Sequence, residues 1–494
     1  MIKEKIKIHD KYQFELKLGY KVFEGNKDAL YNIEIYFFLP NNLDINRHTY
    51  TKNNFYNDLQ TYIRFKTPSF ILRNIIHGQD SPYNKLKLSF ENLSNSQNKE
   101  TIDNYIHQIK MFGCIVKSSL RDHIDFISDK TNKEDIENLI IEYAENIKKI
   151  RLNLKELRTI INTPNMPEKL FSYYLFCDEY ISHIIEENSY KLLKLIETKN
   201  LLNRVDLFQK IYNIINDEIT YMKINNKFHL PNQSSDNEEL IFRKSVLKKF
   251  IGSVLFLKTM SERPGMLLEQ ILFGLAAGAS MIFATAVAFY SQIKYGALSV
   301  PLFILLTLSY ILKDRIKELL RLFFSNQIQK IFFDHKINIY TSEKKKLGWS
   351  KESFCFIKSK NIPQVINKIR NRDHITEIEN GWVGEKTILY VNKIKLFSKK
   401  INDIYNSYNI EGINNIMRFD ISNFLNRMDN PQKEIFILND NSYKEIYGER
   451  VYHVNLVVKY STFENTIYKR FRIVLNKNGI KRIEEVFTEK ENGR

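Results

Sequence analysis

Apolar and polar residues alternate from the start of the chain: Ile6 and Ile8, then Tyr12, Phe14, Leu16 and Leu18, and again Ile33, Ile35, Phe37 and Leu39 before Pro40. A period of two puts successive side chains on opposite faces, which is the pattern of half-buried strands. The chain is therefore expected to open with an antiparallel sheet. A polar stretch through Asn41, Asn42 and Asn53 follows, then mixed structure to about residue 98, including the turn residues Gly78-Gln79-Asp80-Ser81-Pro82.

From about residue 99 the period becomes helical. Ile140, Tyr143, Ile147, Ile150, Leu154, Leu157 and Ile161 are spaced 3, 4, 3, 4, 3, 4, a heptad-type seam that ends before Pro164. An antiparallel bundle within one chain is the commoner use of such a seam, and a dimeric coiled coil is the alternative. Further helices are predicted over 167–224 and 238–260, separated by the polar loop 231–237.

One segment breaks the average. Ile271 to Ile293 reads ILFGLAAGASMIFATAVAFYSQI, 23 residues without a charge, about 34 Å as a helix against a hydrocarbon layer of ~30 Å. After Lys294, Tyr295 to Leu312 adds 18 uncharged residues, about 27 Å. The pair reads as a two-span transmembrane hairpin. Ala276, Ser280, Ala284 and Ala288 recur every four residues beside the GxxxG of Gly274 and Gly278. Small residues at this spacing let helix backbones approach, either across the hairpin or between copies in a homo-oligomer. Lys248, Lys249, Lys258 and Arg263 precede the hairpin, and Lys313, Arg315, Lys317 and Arg321 follow it, against Lys294 alone in the loop. That asymmetry places both flanks in the cytoplasm. The opening MIKEKIKIHDKYQF has no apolar core of a secretory signal, which agrees.

Beyond the hairpin a basic amphipathic helix is expected to run to Phe333. Strand patterns then return at Ile388 and Tyr390, Ile435 and Ile437, Tyr452 to Tyr460, Ile467 to Leu475, and, after the turn Asn476-Lys477-Asn478-Gly479, at Ile480 to Val486. The organisation read from these patterns is a membrane-anchored α+β protein. Residues 1–98 form an N-terminal β-rich segment and 99–262 a helical bundle. Residues 263–328 carry the hairpin, with spans near 268–292 and 295–312, and 329–494 form a C-terminal α+β domain with antiparallel strands.

Charge and chemistry add less. The 494 residues hold 74 Lys and Arg against 57 Asp and Glu, a net charge of +17, of which about +10 lies beyond residue 329. An anionic inner leaflet attracts such an excess; a composition rich in Lys, Ile and Asn makes it a poor argument for nucleic acid. His453, Lys459, Arg470 and Arg472 fall on one face of neighbouring strands and form the candidate anionic-ligand face. Cys114, Cys177 and Cys355 form no CxxC, so neither a disulfide framework nor a Cys-based zinc site is expected.

No phosphate loop, HExxH, GxSxG or GxGxxG occurs. Gly381 to Thr387 imitates a phosphate loop, but Glu385 stands before its Lys and a strand pattern follows it. Glu179, His183, Glu186 and Glu187 share a helix face and are read as an exposed acidic surface rather than a metal site. Arg121-Asp122-His123 and Arg372-Asp373-His374 are read as coincident tripeptides. No cofactor and no catalytic residue is assigned. The chain is expected to be a non-catalytic scaffold or sensor of the inner or plasma membrane, its partners the lipid bilayer and an unidentified protein. A membrane-tethered enzyme for a phosphorylated or lipidic substrate is the first alternative, an oligomeric membrane-perturbing effector the second.

Overall fold

The computed structural model describes residues 3–486 apart from 23–27, 200, 202, 225–229, 234–235, 263, 297–298, 332, 372–383, 405–407, 409, 440–441 and 463–464. Arg263, Arg372-Asp373-His374 and residues 381–383 of the phosphate-loop mimic lie outside the described residues. The protein is mixed α+β with antiparallel sheets. The chain divides into two compact units. One comprises residues 1–63, 257–406 and 412–494, the other residues 64–256 and 407–411.

The first unit is built on two sheets. Strands β1 (Lys3–Ile8), β2 (Gln13–Lys21), β9 (Gly412–Asp420) and β4 (Leu59–Phe65) form one, in the order β1-β2-β9-β4. The other has eight strands in the order β14-β13-β12-β3-β8-β7-β6-β5, every neighbour antiparallel. Its members are β3 (Ala29–Pro40), β5 (Lys258–Glu262), β6 (His335–Tyr340), β7 (Lys346–Ile357), β8 (Glu385–Leu396), β12 (Tyr452–Ser461), β13 (Thr466–Asn476) and β14 (Gly479–Val486). The sheets pack face to face through aromatic side chains. Phe37 of the large sheet meets Phe419 of the small one edge-on at 5.3 Å, and Phe419 stacks on its own-sheet neighbour Phe14 at 5.0 Å.

The alternation read at both ends of the chain thus makes strands, but residues 1–98 and 329–494 do not form separate modules. Strand β3 lies between β12 and β8, and β2 pairs with β9 across some 400 residues of sequence. Strands β10 (Gln432–Asn439) and β11 (Ser442–Glu449) form a two-stranded ribbon of their own.

The second unit holds helices α2 (Pro82–Asn95), α3 (Lys99–Asp129), α4 (Lys133–Ile161), α5 (Glu168–Thr198), α6 (Arg204–Ile224) and α7 (Glu238–Gly252), after a short α1 (Lys52–Asp58) in the first unit. Ser81 caps α2 by accepting from the Asn84 amide at 3.2 Å, with Pro82 in its first turn. The whole heptad seam of α4 is buried within the bundle, none of its seven members more than 1% exposed. Helix α7 stops at Gly252 instead of running to residue 260, and the chain re-enters the large sheet as β5.

Between β5 and β6 lie α8 (Met266–Tyr295) and α9 (Val300–Ile331). Among the described residues α8 is the one helix long and apolar enough to cross a membrane; 11% of its most apolar window is covered by protein. Gly296 ends α8 and α9 begins only at Val300. The uncharged helical part of α9, Val300 to Leu312, is therefore about 20 Å long, shorter than the 18-residue span read from sequence.

Candidate functional site

Each of the four residues of the candidate anionic face has a structural neighbour. Register sets Asn455 opposite Arg472 and Val457 opposite Arg470, so His453, Lys459, Arg470 and Arg472 do share one face of β12 and β13. A short helix, α10 (Gln364–Arg370), lies over that face, with Ile366 and Ile369 in a core with Tyr36, Phe38 and Val457. Arg470 is fully buried beneath it and donates to the Ile369 carbonyl at 3.3 Å and to Asn455 Oδ1 at 3.0 Å. It pins the end of α10 to the sheet. Lys459 pairs with Glu34 at 3.0 Å and Arg472 with Glu484 at 3.4 Å. The Arg482 hydrogen bond, with Arg472 and His453 near, holds the Glu484 carboxyl below its usual range. His453 borders a cavity.

That cavity, about 360 Å³, opens at the end of the large sheet where β3 finishes and β8 and β12 begin. Asn42, Glu385, Asp429, Arg450, Tyr452 and His453 contribute its polar wall. Arg450 Nη1 lies 2.6 Å from Asp429 Oδ2, and the Tyr452 hydroxyl donates to the same oxygen at 3.2 Å. The Arg450 amide donates to the Pro431 carbonyl at 2.7 Å, closing the base of the β10–β11 ribbon. Glu385 is held by the buried Arg370, Nε to Oε2 at 3.1 Å. Both charges of each pair have a partner of opposite sign, which suits a cleft whose shape is fixed rather than one with a poised acid or base.

The helix face of Glu179, His183, Glu186 and Glu187 is not an exposed acidic surface. Glu179, His183 and Glu186 are buried in the bundle, and only Glu187 reaches solvent. Arg243 from α7 clasps Glu179 with two donors, Nε to Oε1 at 2.9 Å and Nη2 to Oε2 at 2.6 Å. Lys244 lies 3.9 Å from Glu186. One turn away, Arg151 on α4 donates to Asp178 at 2.8 Å and to Ser182 at 3.1 Å, with Glu218 of α6 2.7 Å from its Nε. Burial opposes the Arg151 charge, but Glu218 and Asp178 outweigh it and raise its pKa. Burial lifts the Glu218 carboxyl above its usual range against the pull of Arg151. Among the described residues no group of three or more His, Cys, Asp or Glu side chains is placed to hold a metal ion. Sequence reasoning missed this network because helical spacing gives a face but not its direction. The bulky cations Arg151 and Arg243 on neighbouring helices were the available signal.

Cys114 and Cys177 are equally inert in position, whereas Cys355 is exposed. Cys177 Sγ sits 3.4 Å from the Ile109 carbonyl and Cys114 Sγ 3.4 Å from that of Ile251. Burial pushes the Cys114 thiol up to about 12 and the Cys177 thiol higher still.

In the hairpin, Ala276, Ser280 and Ser291 of α8 and Ser309 of α9 are buried, and Ala284 and Ala288 partly so. Ser309 Oγ donates to the Ala284 carbonyl at 3.4 Å. Gly274 and Gly278 point elsewhere: a Cβ on either would meet no atom within 4 Å. No family model matches the chain, and no curated protein or solved structure does so either.

Proposed function

We propose that the α8–α9 hairpin holds this protein in a membrane and that the two folded units act as a non-catalytic scaffold or sensor at one leaflet. The observation that carries this reading is the bareness of α8. Leu267, Ile271, Ile282, Phe289 and Ile293 stand between 60% and 86% exposed on a helix of 30 residues, and apolar area costs about 25 cal/mol per Å² in water. A bilayer removes that cost.

A two-span hairpin with both flanks cytoplasmic is the finer form of the proposal. The positive-inside asymmetry supports it. The short uncharged run of α9 is accommodated by Lys313 and Arg315 extending their ends to the interface and by local thinning of the bilayer. The scaffold reading draws on the charged groups singled out by sequence, which serve as structural pairs within each unit.

The test is labelling by a membrane-impermeant maleimide of full-length Tyr295→Cys in a Cys355→Ser background, in intact cells. The buried Cys114 and Cys177 stay silent. Labelling of residue 295 from outside supports two spans. Labelling only after permeabilisation contradicts them and leaves a hairpin dipping into one leaflet.

A further inference from the structure

The described residues of the β10–β11 ribbon are exposed on both faces, except Ile446 and Gly448, which are half-buried. One face carries Ile435, Ile437 and Ile446, the other Phe436, Leu438, Tyr443 and Tyr447. Phe436 is 61% and Leu438 88% exposed, and Phe436 and Tyr443 meet edge-on at 5.9 Å. Lys433 and Lys444 are balanced by Glu434, Glu445 and Glu449. The ribbon therefore presents an amphipathic, aromatic-bearing surface with no strong net charge, as residues of a bilayer interface do.

Strand register says at which end of the large sheet its base lies. Glu262, the last residue of β5, pairs with Lys336 at the start of β6, so α8 and α9 emerge from that end of the large sheet. His335 lies opposite Glu352, towards the Ile357 end of β7, and Ile357 in turn lies opposite Thr387 near the start of β8. Glu385 pairs with Pro40, and Phe38 with Asn455 near the start of β12. The first residue of β12, Tyr452, holds the ribbon's base through Asp429. The helical hairpin and the ribbon thus leave the sheet from the same end, four strands apart from β6 to β12, or about 19 Å. Each ribbon strand has eight residues, a reach of about 27 Å.

We infer that the β10–β11 ribbon is a second membrane contact, lying in the headgroup and upper acyl region beside the hairpin. This rests on the membrane reading proposed above. The cavity at Asp429, Arg450 and His453 then faces the leaflet at headgroup level, whereas the Lys344–Lys346 run, at the other end of β6, faces away from it.

The test uses full-length protein reconstituted in phosphatidylcholine–phosphatidylglycerol vesicles, in a Cys355→Ser background, with an environment-sensitive fluorophore at a single new cysteine. Three sites are compared: Ile282→Cys in α8, Leu438→Cys in the ribbon and Lys345→Cys at the far end of the sheet. The inference expects a blue shift and quenching by nitroxide-bearing lipid at 282 and 438, with 345 unchanged. A lipid-quenched probe at 282 with a water-exposed probe at 438 overturns the inference and leaves the anchor standing. A probe at 438 that is shielded but not quenched by lipid also overturns it, since protein (a second copy or another partner) then covers the ribbon. A water-exposed probe at 282 overturns both.

Discussion

Arg151 on α4 donates to Asp178 on α5 at 2.8 Å in the middle of the helical bundle, and neither side chain is more than 6% exposed. With Glu218 2.7 Å from the same guanidinium, one cation is shared by two buried carboxyl groups. Removing a single partner leaves charge without compensation, which costs about 3–5 kcal/mol. Arg151→Met is expected to destabilise the bundle by that amount, followed as loss of helical circular dichroism in urea on the full chain in detergent. The triple variant Arg151→Met, Asp178→Leu, Glu218→Leu should recover most of the loss. Equal losses in both variants would show that packing, not charge, holds these helices.

In the first unit, Glu352 is buried between the sheets, accepts from Asn392 at 3.2 Å and has its carboxyl pushed up to about 7 by burial, against a Tyr390 hydrogen bond and with the Asp334 charge adding to the rise. A folded-state pKa above the unfolded value means that the native state holds the proton longer. Its contribution to stability is complete below about pH 4.5 and is lost as the pH rises to about 7. The loss is about 3 kcal/mol. Glu352→Gln should flatten the fall in urea midpoint between these pH values and leave the variant more stable than the parent at pH 8. A midpoint that falls equally in both proteins would place the titration elsewhere.

The small-residue stripe divides into two faces with different expectations. Ala276→Leu and Ser280→Leu place bulk where α8 meets α9 and should loosen the hairpin. Gly274→Leu and Gly278→Leu enter open space and should not. The readout is disulfide formation between Ala284→Cys and Ser309→Cys, whose backbone carbonyl and hydroxyl already lie 3.4 Å apart. Cross-linking within a monomer is expected, abolished by the first pair of variants only; a dimer band would assign the stripe to a contact between copies.

Arg470 separates a structural from a ligand-binding role for the basic face. Arg470→Met leaves the Ile369 carbonyl and Asn455 Oδ1 without this donor, at a cost of about 1–3 kcal/mol, and should free α10 from the sheet. Increased amide exchange over 364–370, with no change in binding of inorganic phosphate, is the expected result. Phosphate binding by the parent that disappears in the variant would restore the anionic site.

Much of the local structure was legible in the sequence, and little of its assembly. The α4 seam announced a buried helix because seven apolar residues keep one face over about six turns. The turn before Gly479 announced β13 and β14, since Gly479 adopts φ +130° and a Cβ there would strike the Lys11 carbonyl. The pairing of β3 with β12 left no local trace, because strand partners are chosen by a shared core and not by neighbours in sequence. The polar face of α5 misled for a related reason: Glu179 and His183 look solvated until Arg243 is placed opposite. In the hairpin, composition gave an apolar length, but Gly296 and the late start at Val300 decided how much of it is helix.

Whether α8 belongs in lipid is decided by alkaline carbonate extraction of cell envelopes. The full-length protein should remain with the lipid through a flotation gradient at high pH and aggregate when detergent is withdrawn. Recovery in the carbonate supernatant as a monodisperse species in plain buffer would show that α8 is not a membrane helix.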